Sequence, residues 1–464
     1  MNRSYYYSGI FLIVLQMVLS IFQSTLNFQL GYRVSHLPSF LPWFVLCVSI
    51  YFAGSLVALK YYQFKRFRTV FLLGVLSLLI SNFQYYVIYN MLLNREMDRF
   101  YLPSYYAVLV STVVFSLSII FSDAGRLPWL KSGGVFSVIV GVILLVTLII
   151  PRYSDDLALR VMLEKVNQWA SWSGTLIPVL FIINFWIELR EDVISESQKK
   201  SVNVFLVSIG IIAFTVVVYF GKMLTDESLA LLHYNFVSER AKGLAQPFEA
   251  RFYINNENDT LRYRLLRPLH YNLNQKYPLV VLLHHGGSHG SDNVKQVEGT
   301  FAPFLSDYNN IRKYPAFLFV PQCPDGSSFL SPAIELLTFE AMHELEQEFT
   351  IDTNRRYVVG LSGGGFGSWH FLGTHPKTFA AAIPICGGGD PWRAQNITDV
   401  AVWAFHGAQD ALAPVRGSRD MIAAIRKAGG KPRYTEFSDA GHDIAYQVQS
   451  TPGLVDWLFA QKRN

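Results

Sequence analysis

Seven times between residue 1 and about residue 222, the sequence runs through some twenty mainly apolar residues and then breaks for a short polar loop. No other feature narrows the possible folds so sharply. About 20 apolar residues is the length that carries a helix across a bilayer core, where every backbone polar group has to be bonded within the segment. The stretches are placed at 8–30, 40–59, 70–92, 105–121, 135–150, 169–188 and 202–220. Tyr and Trp gather near several of their ends (Tyr5, Tyr6, Tyr7, Trp43, Tyr61, Tyr62, Tyr105, Tyr106 and Trp129), as they do at membrane interfaces. The first stretch is too long for a cleaved leader and has no small-residue cleavage site, so it is read as a retained helix. Charged residues are only 16% of the chain and hydrophobic ones 51%, where soluble globular proteins carry about 25% charged residues. The expectation over residues 1–222 is an α-helical membrane bundle of about seven transmembrane helices.

An odd number of spans puts the two termini on opposite sides of a membrane, and Lys and Arg in short loops mark the cytoplasmic side. The N-terminus and alternate loops carry ten (Arg3; Lys60, Lys65, Arg66 and Arg68; Arg126 and Lys131; Arg190, Lys199 and Lys200) against six in the other loops (Arg33; Arg95 and Arg99; Arg152, Arg160 and Lys165). This places the N-terminus in the cytoplasm and the C-terminal part in the periplasm or outside the cell; Lys222, Arg240 and Lys242 after the last span narrow the margin to ten against nine. The spans hold Gln16, Gln23, Asn82, Gln84 and Asn184 but no central Asp, Glu, Lys, Arg or His. Ion pathways and proton relays place ionisable groups there, so the amides are expected to bond neighbouring helices and the region to serve as an anchor or lipid-facing platform. Residues 223–245 read as a linker, with a short amphipathic helix against the bilayer left open.

Residues 246–464 have ordinary soluble composition. Apolar runs at 279–283, 316–320, 357–361, 380–385 and 400–405 have the length of buried strands, and 334–349, 367–374 and 418–427 have helical character. Such alternation predicts an α/β domain with a doubly wound, mostly parallel sheet. Reactive groups in such sheets belong at the carboxyl ends of the strands.

The unusual residues fall there. Gly360-Leu361-Ser362-Gly363-Gly364 follows the strand at 357–359 and matches G-x-S-x-G, in which glycines let the chain turn sharply from strand to helix and lift a serine hydroxyl out of the sheet. A serine needs a base to take its proton, and the base needs an acid to hold its tautomer. The run Val402-Trp403-Ala404-Phe405 leads to Asp410, and the strand at 434–437 leads to Asp439-Ala440-Gly441-His442-Asp443. Ser362 is therefore read as nucleophile, His442 as base and Asp410 as its acid. His406 is the competing base; Asp439 and Asp443 are competing acids that would have to fold back on the adjacent histidine. An oxyanion needs two donors: the N–H of Gly363 and one from the loop His284-His285-Gly286-Gly287-Ser288-His289-Gly290, with His285 and Gly286 as candidates. The loop histidines lack a second cluster at ligand spacing, and no metal or cofactor is expected.

The run from Tyr263 onward resembles the bacterial carboxylesterases and depolymerase-like hydrolases of the prolyl oligopeptidase and dienelactone hydrolase group, within the α/β-hydrolase superfamily. The matching pieces are Tyr277-Pro278-Leu279-Val280-Val281, Asp292-Asn293, Val320-Pro321-Gln322-Cys323-Pro324, Ile351-Asp352 with Arg355, and Pro384-Ile385-Cys386-Gly387-Gly388-Gly389-Asp390. The resemblance implies the α/β-hydrolase fold and ester hydrolysis through an acyl-enzyme. It departs at His285, where such proteins commonly have glycine, and it does not extend to residues 1–222. The expected partners are a small-molecule or lipid-linked ester and membrane lipids; the net charge of +5 reflects membrane-flanking residues and does not argue for nucleic acid. A serine peptidase, or a membrane sensor whose hydrolase fold only binds a ligand, stays open. Cys323 and Cys386 read as packed thiols, with a disulfide as the alternative in an external domain.

Overall fold

Long apolar stretches satisfy their backbone by closing into helices. The first half of the chain forms α1 (Arg3–Leu30), α2 (Phe40–Phe64), α3 (Arg68–Leu92), α4 (Asp98–Ile120), α5 (Pro128–Tyr153), α6 (Leu157–Gly174), α7 (Ile177–Glu191) and α8 (Lys200–His233). The structure is a computed structural model and describes residues 3–30, 34–35, 37–93, 97–122, 127–154, 156–191, 200–233 and 237–463. The loop charges Arg33, Arg95, Arg126 and Lys199 lie outside the described residues. The chain divides into two units, Met1–Ser154 with Met162–Tyr234, and Asp155–Val161 with Asn235–Asn464.

Among the described residues, seven helical stretches are long and apolar enough to cross a membrane, with α6 and α7 forming one of them, Leu157–Arg190. The helix expected at 169–188 is interrupted: α6 stops at Gly174 and α7 starts at Ile177. Hydroxyls compete with the helix there, Ser173 donating to the Ala170 carbonyl and Thr175 to the Trp172 carbonyl. The stretch read as a linker is largely helical, because α8 runs to His233 and a short α9 (Glu239–Ala245) follows, capped by the Ser238 hydroxyl accepting from Ala241 N at 3.0 Å.

Four of the five amides reach a neighbouring helix. Gln16 donates to the Ile50 and Tyr51 carbonyls, Gln23 accepts from Trp43 Nε1, Gln84 accepts from the Ser104 hydroxyl, and Asn184 donates to the Tyr61 hydroxyl. Asn82 instead turns back on its own helix to the Leu78 carbonyl. Leu72, Leu79 and Ile211 point outward, so the first unit is apolar on its outside as well as inside.

Among its described residues the second unit is built on eight strands: β1 (Glu249–Ile254), β2 (Thr260–Leu266), β3 (Tyr277–Leu283), β4 (Phe317–Gln322), β5 (Ile351–Leu361), β6 (Ala381–Ile385), β7 (Ala401–Gly407) and β8 (Arg433–Phe437). Their order across the sheet is β1-β2-β4-β3-β5-β6-β7-β8. Pairing is antiparallel from β1 through β2 to β4 and parallel from β4 to β8. Every residue of β3 and β4 is buried, as a sheet covered on both faces requires. One core layer joins Leu279, Val281 and Val358 to Leu337, Trp369 and Ile422; the other joins Val280, Leu282 and Val359 to Phe301, Val448 and Leu458. This alternation along β3 and β5 leaves the strand ends free to carry chemistry.

Candidate active site

Strand β5 ends at Leu361 and a helix begins at Gly363, so Ser362 alone makes the turn, with φ 54° and ψ −113°. A side chain at positive φ is strained by about 1–3 kcal/mol unless its surroundings fix it. Here they do: Ser362 N donates to the Ile385 carbonyl at 2.8 Å, and the Ser362 carbonyl accepts from Phe366 N at 3.0 Å. The two outer glycines of the motif are demanded by space. A Cβ on Gly360 would lie 1.9 Å from the Gly364 carbonyl oxygen, and one on Gly364 would lie 2.1 Å from the Leu283 carbonyl oxygen.

Three strand ends then bring three side chains into line. His442, after β8, has Nε2 2.8 Å from Ser362 Oγ, and its Nδ1 lies 2.7 Å from Asp410 Oδ2 in the loop after β7. Asp410 Oδ1 accepts from the N–H groups of Leu412 at 2.9 Å and Ala413 at 2.8 Å. Burial alone would raise the Asp410 carboxyl, but hydrogen bonds from His406, His442 and Ala413 outweigh it and hold it well below the usual carboxylate range. An ionised Asp410 fixes the Nδ1–H tautomer of His442 and leaves Nε2 to accept the serine proton. The strand order and this Ser-His-Asp arrangement at the strand ends fit an α/β-hydrolase fold for the C-terminal unit.

No family profile matches the sequence, and no curated protein matches it. Solved structures do resemble the hydrolase unit. A thermostable esterase is 35% identical over 47% of this chain and 64% of its own, with a TM-score of 0.46. The feruloyl esterase module from Clostridium thermocellum, in complex with sinapinate, is 17% identical over 47% of this chain and 89% of its own, TM-score 0.38. The Pyrococcus horikoshii acylaminoacyl peptidase is 15% identical over 46% of this chain and 41% of its own, TM-score 0.35.

The competing residues of the hydrolase have other partners. His406 is fully buried, with Nδ1 2.8 Å from Ser418 Oγ and Nε2 2.9 Å from the Ala413 carbonyl and 3.2 Å from Asp410 Oδ2. It braces the acid from behind, a role the sequence signals only by placing it at the end of β7. Among the described residues, neither Asp439 nor Asp443 hydrogen-bonds His442. Cys323 and Cys386 are buried and form no disulfide. Cys386 Sγ donates to the His442 carbonyl at 3.4 Å, a contact no motif announces.

The donor atoms of Cys386, His406 and Asp410 lie within 4.8 Å of one another, but the set does not fit a metal. Burial pushes the Cys386 thiol up to about 12, so it keeps its proton, and Asp410 is committed to His442 and two backbone donors.

In the loop after β3 the N–H groups of His285 and Gly286 differ in their partners. His285 N donates to the Gly299 carbonyl at 3.1 Å, so it has no hydrogen left for an oxyanion. The expectation of a donor at His285 is corrected on that ground. Among the described residues the N–H groups of Gly286 and Gly363 have no partner. The three histidines brace this turn. His284 Nδ1 bonds the His285 carbonyl at 2.8 Å while its Nε2 accepts from Cys323 N at 3.0 Å; His285 Nδ1 accepts from Gly287 N at 3.0 Å; His289 Nδ1 lies 2.6 Å from the Gly286 carbonyl. Burial, reinforced by His289, holds His284 well below the usual histidine range and so neutral. Trp392 (79% exposed), Leu412 (64%) and Tyr446 (78%) stand on the segments that follow β6, β7 and β8.

Proposed function

We propose that this chain is a membrane-anchored serine hydrolase that cleaves carboxylic esters. The observation that carries the reading is the continuous relay from Ser362 Oγ through His442 to Asp410, at 2.8 and 2.7 Å. In the proposed route His442 Nε2 takes the Ser362 proton as Oγ attacks the ester carbonyl carbon. The N–H groups of Gly363 and Gly286 receive the oxyanion, and Gly363 adds the positive end of its helix. His442 then returns the proton to the departing alcohol. A water, deprotonated by the same imidazole, attacks the acyl-enzyme, releases the acid and restores Ser362.

The anchoring rests on the seven long apolar helical stretches. The Lys and Arg count supports a cytoplasmic N-terminus with the hydrolase in the periplasm or outside the cell. The exposed Leu412 and Tyr446, which follow Asp410 and His442 within two and four residues, favour an ester with a bulky apolar acyl or alcohol group, such as a lipid-linked one. The test is labelling of the purified full-length protein, and of Ser362→Ala beside it, with a fluorophosphonate probe, together with turnover of p-nitrophenyl esters of rising chain length and of matched p-nitroanilides. Labelling and ester turnover that vanish in the variant support the proposal. A folded wild type that takes no label sinks it, and preferred cleavage of anilides replaces the esterase with a peptidase.

A further inference from the structure

The helix Gly363–Thr374 carries Ser362 at its amino end, and its other end is fastened to a carboxylate. Glu335, in the first turn of the helix Pro332–Glu348, is completely buried. Its Oε2 lies 2.8 Å from His370 Nε2, and its Oε1 accepts from Thr374 Oγ1 at 2.7 Å and lies 2.7 Å from His375 Nε2. Phe339 stacks on the His375 ring, with centroids 3.5 Å apart, and fixes it in place. The last donor is Arg160, whose Nη1 and Nη2 bond the two carboxylate oxygens at 2.9 Å each. Arg160 is 3% exposed and stands in the short segment that groups with the hydrolase unit although it lies 175 residues before Glu335.

A buried carboxylate has to be matched in charge and hydrogen bonds, because an unpaired one costs several kcal/mol. Burial would raise the Glu335 carboxyl, but His370, His375 and Arg160 outweigh it and hold it well below the usual range. Among the described residues these are the charged or titratable groups that face it. The two histidines are cations only when protonated; the guanidinium is a cation at every working pH. Its fork also matches the carboxylate atom for atom, which a lysine cannot do.

We propose that Arg160 is a positioning residue for Ser362: it fixes Glu335, and Glu335, through His370, Thr374 and His375, fixes the helix that presents the nucleophile and the Gly363 N–H. This rests on the reading of Ser362 as the nucleophile. Without Arg160 the carboxylate loses its one fixed cation and keeps only imidazole partners, which are charged only if protonated. A variant lacking the guanidinium is therefore expected to depend on pH in a way the wild type does not.

The experiment uses the full-length protein with Arg160→Met, Arg160→Lys and the double variant Arg160→Met with Glu335→Gln. It measures kcat and KM for a p-nitrophenyl ester from about pH 6 to 9, which brackets histidine titration. Arg160→Met is expected to lower kcat by roughly ten- to a hundredfold with KM little changed, its ratio to wild type changing with pH. Arg160→Lys should recover part of the rate. The double variant, which carries no stranded charge, should lose the added pH dependence. If Arg160→Met does not fold, Arg160→Lys carries the test, with a reduced kcat at unchanged KM expected. A folded Arg160→Met, or failing that Arg160→Lys, with wild-type kcat and pH profile overturns the proposal alone. A wild type that takes no fluorophosphonate label overturns the nucleophile reading and this proposal with it.

Discussion

Glu188 and Glu335 are both buried, one in each unit, and they keep different company. Glu188, near the end of α7, accepts from the hydroxyls of Tyr6 at 2.8 Å and Tyr61 at 2.5 Å and lies 2.9 Å from Lys65 Nζ, while Asn184 reaches it from one turn away. Its partners are mostly neutral and come from α1, α2 and α7, so the knot ties three helices in register. Glu335 is met by a guanidinium and two imidazoles, and two of the elements it joins are the nucleophile helix and the segment holding Arg160. The same side chain thus serves helix packing in one unit and placement of the site in the other. Two tyrosine hydroxyls, an amide and one lysine surround Glu188, whereas a guanidinium fork, two imidazoles and a hydroxyl surround Glu335.

The sharpest way to test that contrast is to remove the chemistry on which it depends. Ser362→Ala should abolish fluorophosphonate labelling and lower kcat by about 10⁶; substantial remaining turnover would mean that Glu335 stands behind the wrong serine. Asp410→Asn should keep the geometry but favour the wrong His442 tautomer, with kcat reduced by about 10⁴ and KM nearly unchanged in steady-state assays. Gly360→Ala forces a methyl to 1.9 Å from the Gly364 oxygen. Displacement of the elbow should cost at least about a hundredfold in kcat/KM.

Acid stability separates the carboxylates by a smaller effect. Asp410 and Glu335 are both held below their ordinary values in the folded protein. The stability they supply is therefore complete above the unfolded carboxyl range, near pH 4, and is lost as pH falls toward the depressed folded values. Thermal midpoints should hold from neutral pH to about pH 5 and drop below about pH 4, and the drop should be shallower in Glu335→Gln. The smallest effect on catalysis belongs to Glu188→Gln. It should lower the thermal midpoint, at a cost of about 1 kcal/mol, and leave kcat and KM within about twofold. A large change in kcat from that variant would erase the distinction between the two glutamates.

Much of the hydrolase fold is legible because its inner strands are buried on both faces and appear as uninterrupted apolar runs, Leu279 to Leu283 being the plainest. That Ser362, Asp410 and His442 meet is legible for a different reason: each follows a strand, and the ends of neighbouring parallel strands lie together. The β1–β2 hairpin hides because its strands are half exposed and alternate with Arg251, Arg262 and Arg264, so no apolar run forms. His285 misleads because a loop sequence shows which N–H groups exist but not that one is spent on Gly299. The Arg160–Glu335 pair is invisible for the same physical reason at longer range. Arg160 reads as one loop charge among several and Glu335 as one acid at a helix start, and nothing local records that they meet. Glu188 escapes notice because it sits at the rim of an apolar stretch, where a charge is ordinarily free to reach water.

Arg160 also turns the chain path into a matter of parity. A polypeptide that leaves one compartment and returns to it has crossed the intervening barrier an even number of times. Arg160 lies in the first turn of α6, and the rest of α6 with α7 and α8 separates it from Asn235, where the second unit resumes. In a membrane-anchored chain, three separate crossings would strand Arg160 and Glu335 in different compartments. The broken pair α6 and α7 taken as one crossing, followed by α8, gives two and keeps them together. The interruption at Thr175 and Leu176 then falls inside a single passage.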